Sequence, residues 1–321
     1  MKNNEITRRW QAHPSLADVL AVTRGFQASP FGRTPDGLLD FRGLALASTP
    51  LTFGGGWHND GHQIDLRDAD FSHGSWKGFD IRDAQVQRCT FDSVEFVGDI
   101  RFHGVSLEDC LFKDCSFKNV HITTASLLNT RFEGLRGKDT LSFHARRIED
   151  CLFEGKMKKI DFKSSPIRNT RFSGELLECV FFGHPSIDVV DADAEIYREV
   201  APDAVANRMD GVDFSDASLI NCHIGNYCYL DKVIPPSPEQ NCISRLNPDF
   251  FDTASALLRQ DMPEALASKS LMWLETFYKP DVRLPHGVIG PRDLAKPLGA
   301  DGAALFFNTL RRAAIQAKTI V

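Results

Sequence analysis

Large apolar residues fall at every fifth position through a long part of this chain: Leu66, Phe71, Trp76, Ile81, Val86, Phe91 and Phe96. After one extra residue they resume at Phe102, Leu107, Phe112, Phe117, Ile122, Leu127 and Phe132. Two positions before each sits a second apolar or small residue, for example Ala69, Ala84, Cys89, Val94, Val105, Cys110, Cys115 and Ala125. The positions between are mostly polar, and Asp, Asn or Gly often closes the unit. A helix needs a period of about 3.6 residues and a half-buried strand needs alternation, so a sustained period of five fits neither. It fits a chain that turns a corner every five residues, with two inward side chains and then a tight turn that Asp, Asn and Gly tolerate.

A longer repeat lies over the short one. Glu108-Asp109-Cys110-Leu111-Phe112 recurs at Glu149-Asp150-Cys151-Leu152-Phe153, and Asn129-Thr130-Arg131-Phe132 recurs at Asn169-Thr170-Arg171-Phe172. The two motifs interleave, which gives an underlying period of about 20 residues, or four corners per turn. This register predicts one column of Phe71, Phe91, Phe112, Phe132, Phe153 and Phe172, and another of Leu66, Val86, Leu107, Leu127, Ile148 and Ile167. Successive turns are expected at the ordinary inter-strand distance of ~4.8 Å.

Units such as Ala69-Asp70-Phe71-Ser72-His73, Cys115-Ser116-Phe117-Lys118-Asn119 and Val212-Asp213-Phe214-Ser215-Asp216 resemble those of the pentapeptide-repeat family. The resemblance covers residues 38–182 and, more loosely, 210–230. It implies a mainly β fold, a right-handed four-sided parallel β-helix built as a solenoid, to which the flanking sequence adds a helical N-terminal cap and a C-terminal α-helical segment. In this family several members bind bacterial DNA gyrase, some as acidic mimics of duplex DNA, and gyrase-binding members dimerise through their C-terminal ends.

The flanks divide the chain further. Residues 1–37 are expected to cap the solenoid, with an amphipathic helix over Ser15–Phe26 presenting Leu16, Val19, Leu20 and Val22. Residues 38–182 form the β-helix, interrupted by a projecting loop at Gly54–Gly61 and a smaller bulge around Arg136–Thr140, where one face loses its central apolar residue. Residues 183–209 lack the pattern and are read as an insertion. Residues 210–233 supply the final coil. Ile234-Pro235-Pro236-Ser237-Pro238 reads as a linker, and helices are expected at Asp249–Arg259, Pro263–Tyr278 and Asp301–Ala317. In the last, Leu305, Phe306, Leu310 and Ile315 are available to cap the rod or to form a homodimer.

Composition adds little except one skew: 24 Phe against 4 Tyr and 4 Trp, as a phenylalanine-stacked interior requires. The 42% apolar and 25% charged content is ordinary for a globular chain, and the net charge of −6 argues against a nucleic-acid coat. Charge is unevenly spread. Residues 38–100 carry ten acids against five bases, whereas residues 101–182 carry fourteen bases against eleven acids, with Lys156, Lys158, Lys159 and Lys163 clustered. A continuous DNA-like acidic stripe is therefore not expected.

The chemistry-bearing residues are placed by the repeat. Cys89, Cys110 and Cys151 fall on one inward column with Thr130 between the last two, and Cys115, Cys179 and Cys222 take similar slots; all are read as core, not metal or redox ligands. His58 and His62 flank Asp60 without a helix to align them, and His103 and His144 lie about two turns apart, so no metal is assigned. Gly54-Gly55-Gly56 lacks the Lys-Ser/Thr of a phosphate loop. No cofactor and no catalytic residue is assigned, and the chain is read as no enzyme.

With no apolar leader or 18-residue apolar run, the expected setting is the cytoplasm, away from membranes. The expected function is protein binding, with a type II topoisomerase or a toxin as partner and Trp57, His58, Asp60, Asp193, Glu195 and Tyr197 as loop contacts. The alternative is the targeting or adaptor module of an effector delivered to host cells. Ubiquitin-ligase effectors need a longer C-terminal part with a nucleophilic Cys, and here Cys242 alone follows the linker.

Overall fold

The computed structural model describes residues 3–11, 26–47, 56–57, 65–78, 80–183, 206–281 and 283–321. The fold is a mainly β parallel solenoid with a few helices, and the chain divides into two compact units, Met1–Asp161 and Phe162–Val321. Among the described residues, no helix is long and apolar enough to cross a membrane.

In the first unit the five-residue period is a backbone period. Asp68, His73, Gly78, Asp83, Arg88 and Ser93 follow one another at intervals of five, each with φ between 49° and 61°. This left-handed region costs an ordinary L-residue about 1–2 kcal/mol, least for Gly, Asn and Asp, which explains the residues that close the units. Arg88 is an exception by type, and its guanidinium is held by two bonds to Asp68 one turn away, at 2.5 and 2.8 Å.

Each corner is followed by a short parallel strand. The strands Asp65–Arg67, Ala69–Asp70, Ser75–Lys77 and Asp80–Arg82 each pair in parallel with a strand one turn further on. Along them Leu66 pairs with Val86, Trp76 with Phe96, and Ile81 with Phe102. The aromatic column runs Phe41, Phe71, Phe91, Phe112, Phe132, Phe153, with stacked rings and centroids 5.4, 5.3, 4.6, 4.7 and 5.1 Å apart. Phe41 extends the column by one turn. The sequence pattern hides it because residues 48–64 separate it from Phe71. The aliphatic column joins Leu107 to Val86 and Leu127, and Leu127 to Ile148.

The extra residue between Phe96 and Phe102 lies inside one strand, Glu95–His103, whose register breaks between Val97 and Ile100. Gly98 and Asp99 take up the surplus with φ of 76° and 47°.

The described helix at the N-terminus, α1, spans Asn3–Gln11. The helix expected over Ser15–Phe26 lies outside the described residues except for Phe26, which is buried against Phe41 and Phe71. Helix α1 docks through Ile6 and Trp10, both buried, and Trp10 Nε1 donates to the Arg42 carbonyl at 2.7 Å. Arg9 and Arg42 both grip the Asp40 carboxylate, with guanidinium contacts of 2.5–2.9 Å. Burial alone would raise the Asp40 pKa, but the hydrogen bonds from the two arginines hold it far below the usual carboxylate range.

In the second unit, strand Arg171–Leu177 pairs with Asp213–Ile220, and Val180–Phe182 pairs with His223–Gly225, all parallel. Phe172 stacks on Phe214 at 5.2 Å and Phe162 on Phe181 at 4.9 Å. Ile167 is buried here, its N–H donating to the side chain of Asn207. The segment read as a linker begins inside a ladder. Ile234 continues the ladder beside Asp213, its N–H donating to the Val212 carbonyl at 2.8 Å while its carbonyl accepts from Phe214.

Beyond it, Cys242–Arg245 and His286–Ile289 form an antiparallel ribbon that the sequence reading did not foresee. Four-residue strands carry no readable period, and their pairing spans the intervening helices. Those helices are α2 (Pro248–Asp261) and α3 (Glu264–Phe277), followed by α4 (Ala295–Gln316), which is interrupted at Gly299, φ 74°. Asn247 caps α2 by accepting from the Phe250 N–H at 2.8 Å. Phe250, Leu258, Leu274, Phe306 and Leu310 form the helical core. The Asn241 side chain bonds both the N–H and the carbonyl of Leu219, which fixes this layer to the last ladder of its unit.

Two outcomes are expected. Phe112→Ala should cost about 3–5 kcal/mol in denaturant unfolding, and Phe112→Asp should abolish the folded circular-dichroism spectrum, because a charge would enter a packed column. An unchanged spectrum for Phe112→Asp would refute the stacking. The Asp40 carboxyl titrates below its unfolded value, so the unfolded chain binds more protons as pH falls from about 3.9. The stability Asp40 confers is therefore present above that value and lost below it. Exchange of the α1 amides, corrected for intrinsic rate, should rise in that window, and Asp40→Asn should raise it at pH 7.

Candidate functional site: a basic groove beside an interrupted ladder

The ladder that carries Trp76, Phe96 and Phe117 meets an irregularity in the next turn. Leu141 pairs with Val120 at a spacing of 21, so this turn carries one residue more than the 20 between Phe112 and Phe132. The surplus is accommodated at residues 136–139, where a turn replaces the strand. Asp139 makes the turn possible. It is buried, and its two carboxylate oxygens accept from the Phe117 N–H at 3.2 Å and the Arg136 N–H at 2.7 Å. A side chain thus satisfies a backbone donor that the missing strand would have paired. The Arg136 guanidinium reaches the Cys115 carbonyl at 2.5 Å. Gly137 sits under the Lys156 stem, where a Cβ would stand 3.3 Å from its carbons.

This turn borders an open groove of 330 Å³, wholly within the first unit. Its lining includes Asn119, His121, Lys138, Thr140, Lys158 and Lys159. His121 is held at both ring nitrogens, by Ser142 Oγ at 2.8 Å and Asn119 Oδ1 at 3.2 Å. The Asn119 N–H donates to Thr140 Oγ1 at 2.6 Å, which leaves the threonine proton available as a donor. Among the described residues, no carboxylate forms an ion pair with Lys138 or Lys158. The sequence pointed to the lysine cluster and to the bulge separately. It gave no sign that the two meet, because Lys138 and Lys158 lie on successive turns.

The residues singled out from the sequence are distributed differently. His58, Asp60, Asp193, Glu195 and Tyr197 lie outside the described residues, and of Trp57 only the backbone is described, pairing with Ile81. Phe306 and Leu310 are buried in the helical core, Leu305 is partly buried against it, and Ile315 is 54% exposed. Cys89, Cys110, Cys115, Cys151 and Cys179 are buried, and Cys222 is half-buried. The Cys89 and Cys110 thiols donate to the Leu66 and Val86 carbonyls, both at 3.3 Å. Thr130, in the next slot of that column, donates to Leu107 at the same distance. Burial pushes the Cys115 thiol up to about 12 and the Cys151 thiol to about 11, so neither is poised as a nucleophile at neutral pH. His103 and His144 both flank Thr123 in the ladder, two turns apart. Among the described residues no group of three His, Cys, Asp or Glu side chains is placed to hold a metal ion.

No protein-family model matches this sequence, and no curated protein matches it. Among solved structures, the chain is similar to trypsin-treated QnrB1, a plasmid-mediated fluoroquinolone resistance protein, at 13% identity and a TM-score of 0.35. That likeness covers 62% of this chain and 92% of the other. It is also similar to HetL, a pentapeptide repeat protein involved in heterocyst differentiation regulation from the cyanobacterium Nostoc. There the identity is 12% and the TM-score 0.33, covering 62% of this chain and 90% of that one.

Asp139→Ala should strand the buried Phe117 N–H and cost about 1–3 kcal/mol in denaturant unfolding. Asp139→Asn, which keeps one acceptor, should cost less. Equal stability of all three proteins would show that the carboxylate does not hold the turn.

Proposed function

We propose that this chain is a non-catalytic protein-binding solenoid of the bacterial cytoplasm that acts through its outer faces and turns. The observation that carries the reading is the filled interior. Stacked Phe, Leu, Ile and Cys side chains occupy the inward positions, so ligands meet the outside of the coil. Such a surface is rigid and repeats its side chains at the inter-strand spacing, which suits docking of another macromolecule better than enclosure of a small one.

For the partner we propose a bacterial type II topoisomerase, gyrase foremost, or a toxin that the chain neutralises. This part rests on the resemblance of the repeat units to the pentapeptide-repeat family. The surplus of acids over residues 38–100 offers a basic partner one surface, and the lysines of the groove offer a second of opposite sign.

Affinity capture from bacterial lysate with the full chain, read by mass spectrometry, tests the partner. Recovery of a gyrase subunit, together with protection of supercoiling activity against a quinolone, is the expected result. Capture of a different single protein would keep the binding role and replace the topoisomerase. No specific capture, and no effect on supercoiling at excess protein, would remove both.

A further inference from the structure

We propose that the groove beside the 136–139 turn is a docking site for an acidic segment of a partner protein, whose Asp or Glu carboxylates pair with Lys138 and Lys158. The inference rests on the protein-binding reading above and assigns one part of the surface to one kind of sequence. Thr140 adds a hydroxyl donor at the groove, because its oxygen already accepts from Asn119.

Charge complementarity selects this occupant. Lys138 and Lys158 are without carboxylate partners among the described residues, although ion pairs are common elsewhere on the first unit, such as Arg88 with Asp68 and Arg101 with Asp99. The Asp139 carboxylate, next to Lys138 in sequence, is buried and accepts from two backbone N–H groups. Asp161, also at the groove, faces His144 at 3.9 Å.

The same geometry disfavours a phosphate. A phosphate site is ordinarily a nest of free backbone N–H groups or an arginine fork. Here the Arg136 N–H is taken by Asp139, the Asn119 N–H by Thr140, and the Arg136 fork points at the Cys115 carbonyl. Lys138 and Lys158 are point charges suited to carboxylates that approach from several directions. A long nucleic-acid strand is disfavoured by the acidic turns of residues 38–100 in the same unit. An open groove of 330 Å³ accommodates a few side chains of an extended segment rather than an enclosed ligand.

The groove is also stiff. His121 is bonded at both ring nitrogens, and the turn is fixed by Asp139, so little ordering is required when a segment binds.

The test is fluorescence anisotropy of fluorescein-labelled hexaglutamate with the full chain at low ionic strength. The wild-type chain is compared with the groove double variant Lys138→Gln, Lys158→Gln, and with a control double variant Lys113→Gln, Lys269→Gln. Both variants remove two exposed or half-exposed charges, and circular dichroism checks that each is folded. The expected result is saturable, salt-sensitive binding that the groove variant weakens about tenfold and the control leaves unchanged. No saturable binding, or equal loss in both variants, would overturn the proposal. So would displacement of the peptide by inorganic phosphate more readily than by unlabelled hexaglutamate at matched ionic strength.

Lysate capture with the groove variant separates this inference from the broader one. A partner recovered as well by the variant as by the wild type means that the groove fails and the protein-binding role stands.

Discussion

Hydrogen bonding between parallel strands fixes the distance from one turn to the next at ~4.8 Å, and everything placed inside the coil has to fit that rise. Flat rings do so well. Between Phe91 and Phe132 the centroids are 4.6 and 4.7 Å apart with the planes within 4° of parallel. Such offset stacks add to the area buried. Because each ring is held by the rings above and below, the inward positions lose their freedom to vary independently. Variation is pushed to the outer face and to the corners, which is where any recognition has to be built.

Two devices let the chain depart from the strict count without losing that stacking. One hides the extra residue inside a strand at Gly98 and Asp99. The other abandons a strand at 136–139 and replaces its backbone acceptor with the Asp139 carboxylate. The first leaves the surface nearly regular; the second opens a groove. A local irregularity in the repeat thus becomes a place where side chains from different turns converge.

The regular part of the fold was legible because its period is covalent. Phe71, Phe91, Phe112, Phe132 and Phe153 sit 20 or 21 apart, and the corners that force this spacing announce themselves as Asp, Asn, Ser and Gly. What was not legible depends on contacts that leave no periodic trace. Phe41 belongs to the column but is separated from Phe71 by residues with no repeat. Ile234 sits in a run of prolines that reads as a linker, yet it pairs with Val212 and Phe214. The ribbon of Cys242–Arg245 with His286–Ile289 joins two segments too short to show alternation. For the groove, the lysines were visible as a charged cluster, but only the register of one turn on another brings Lys138 beside Lys158 and Lys159.

The buried thiols give the molecule a property separate from its binding surfaces. Cys89, Cys110 with Cys115, and Cys151 lie at three levels along the first unit, and Cys179, Cys228 and Cys242 are buried in the second. Their sulfurs are sealed from solvent, and Cys115 and Cys151 are held as neutral thiols by burial at ordinary pH. An alkylating reagent can reach them only when the surrounding turn opens. The rate at which each becomes modified therefore records the opening of its own level of the coil, and the chain carries a native set of clocks for where its unravelling begins.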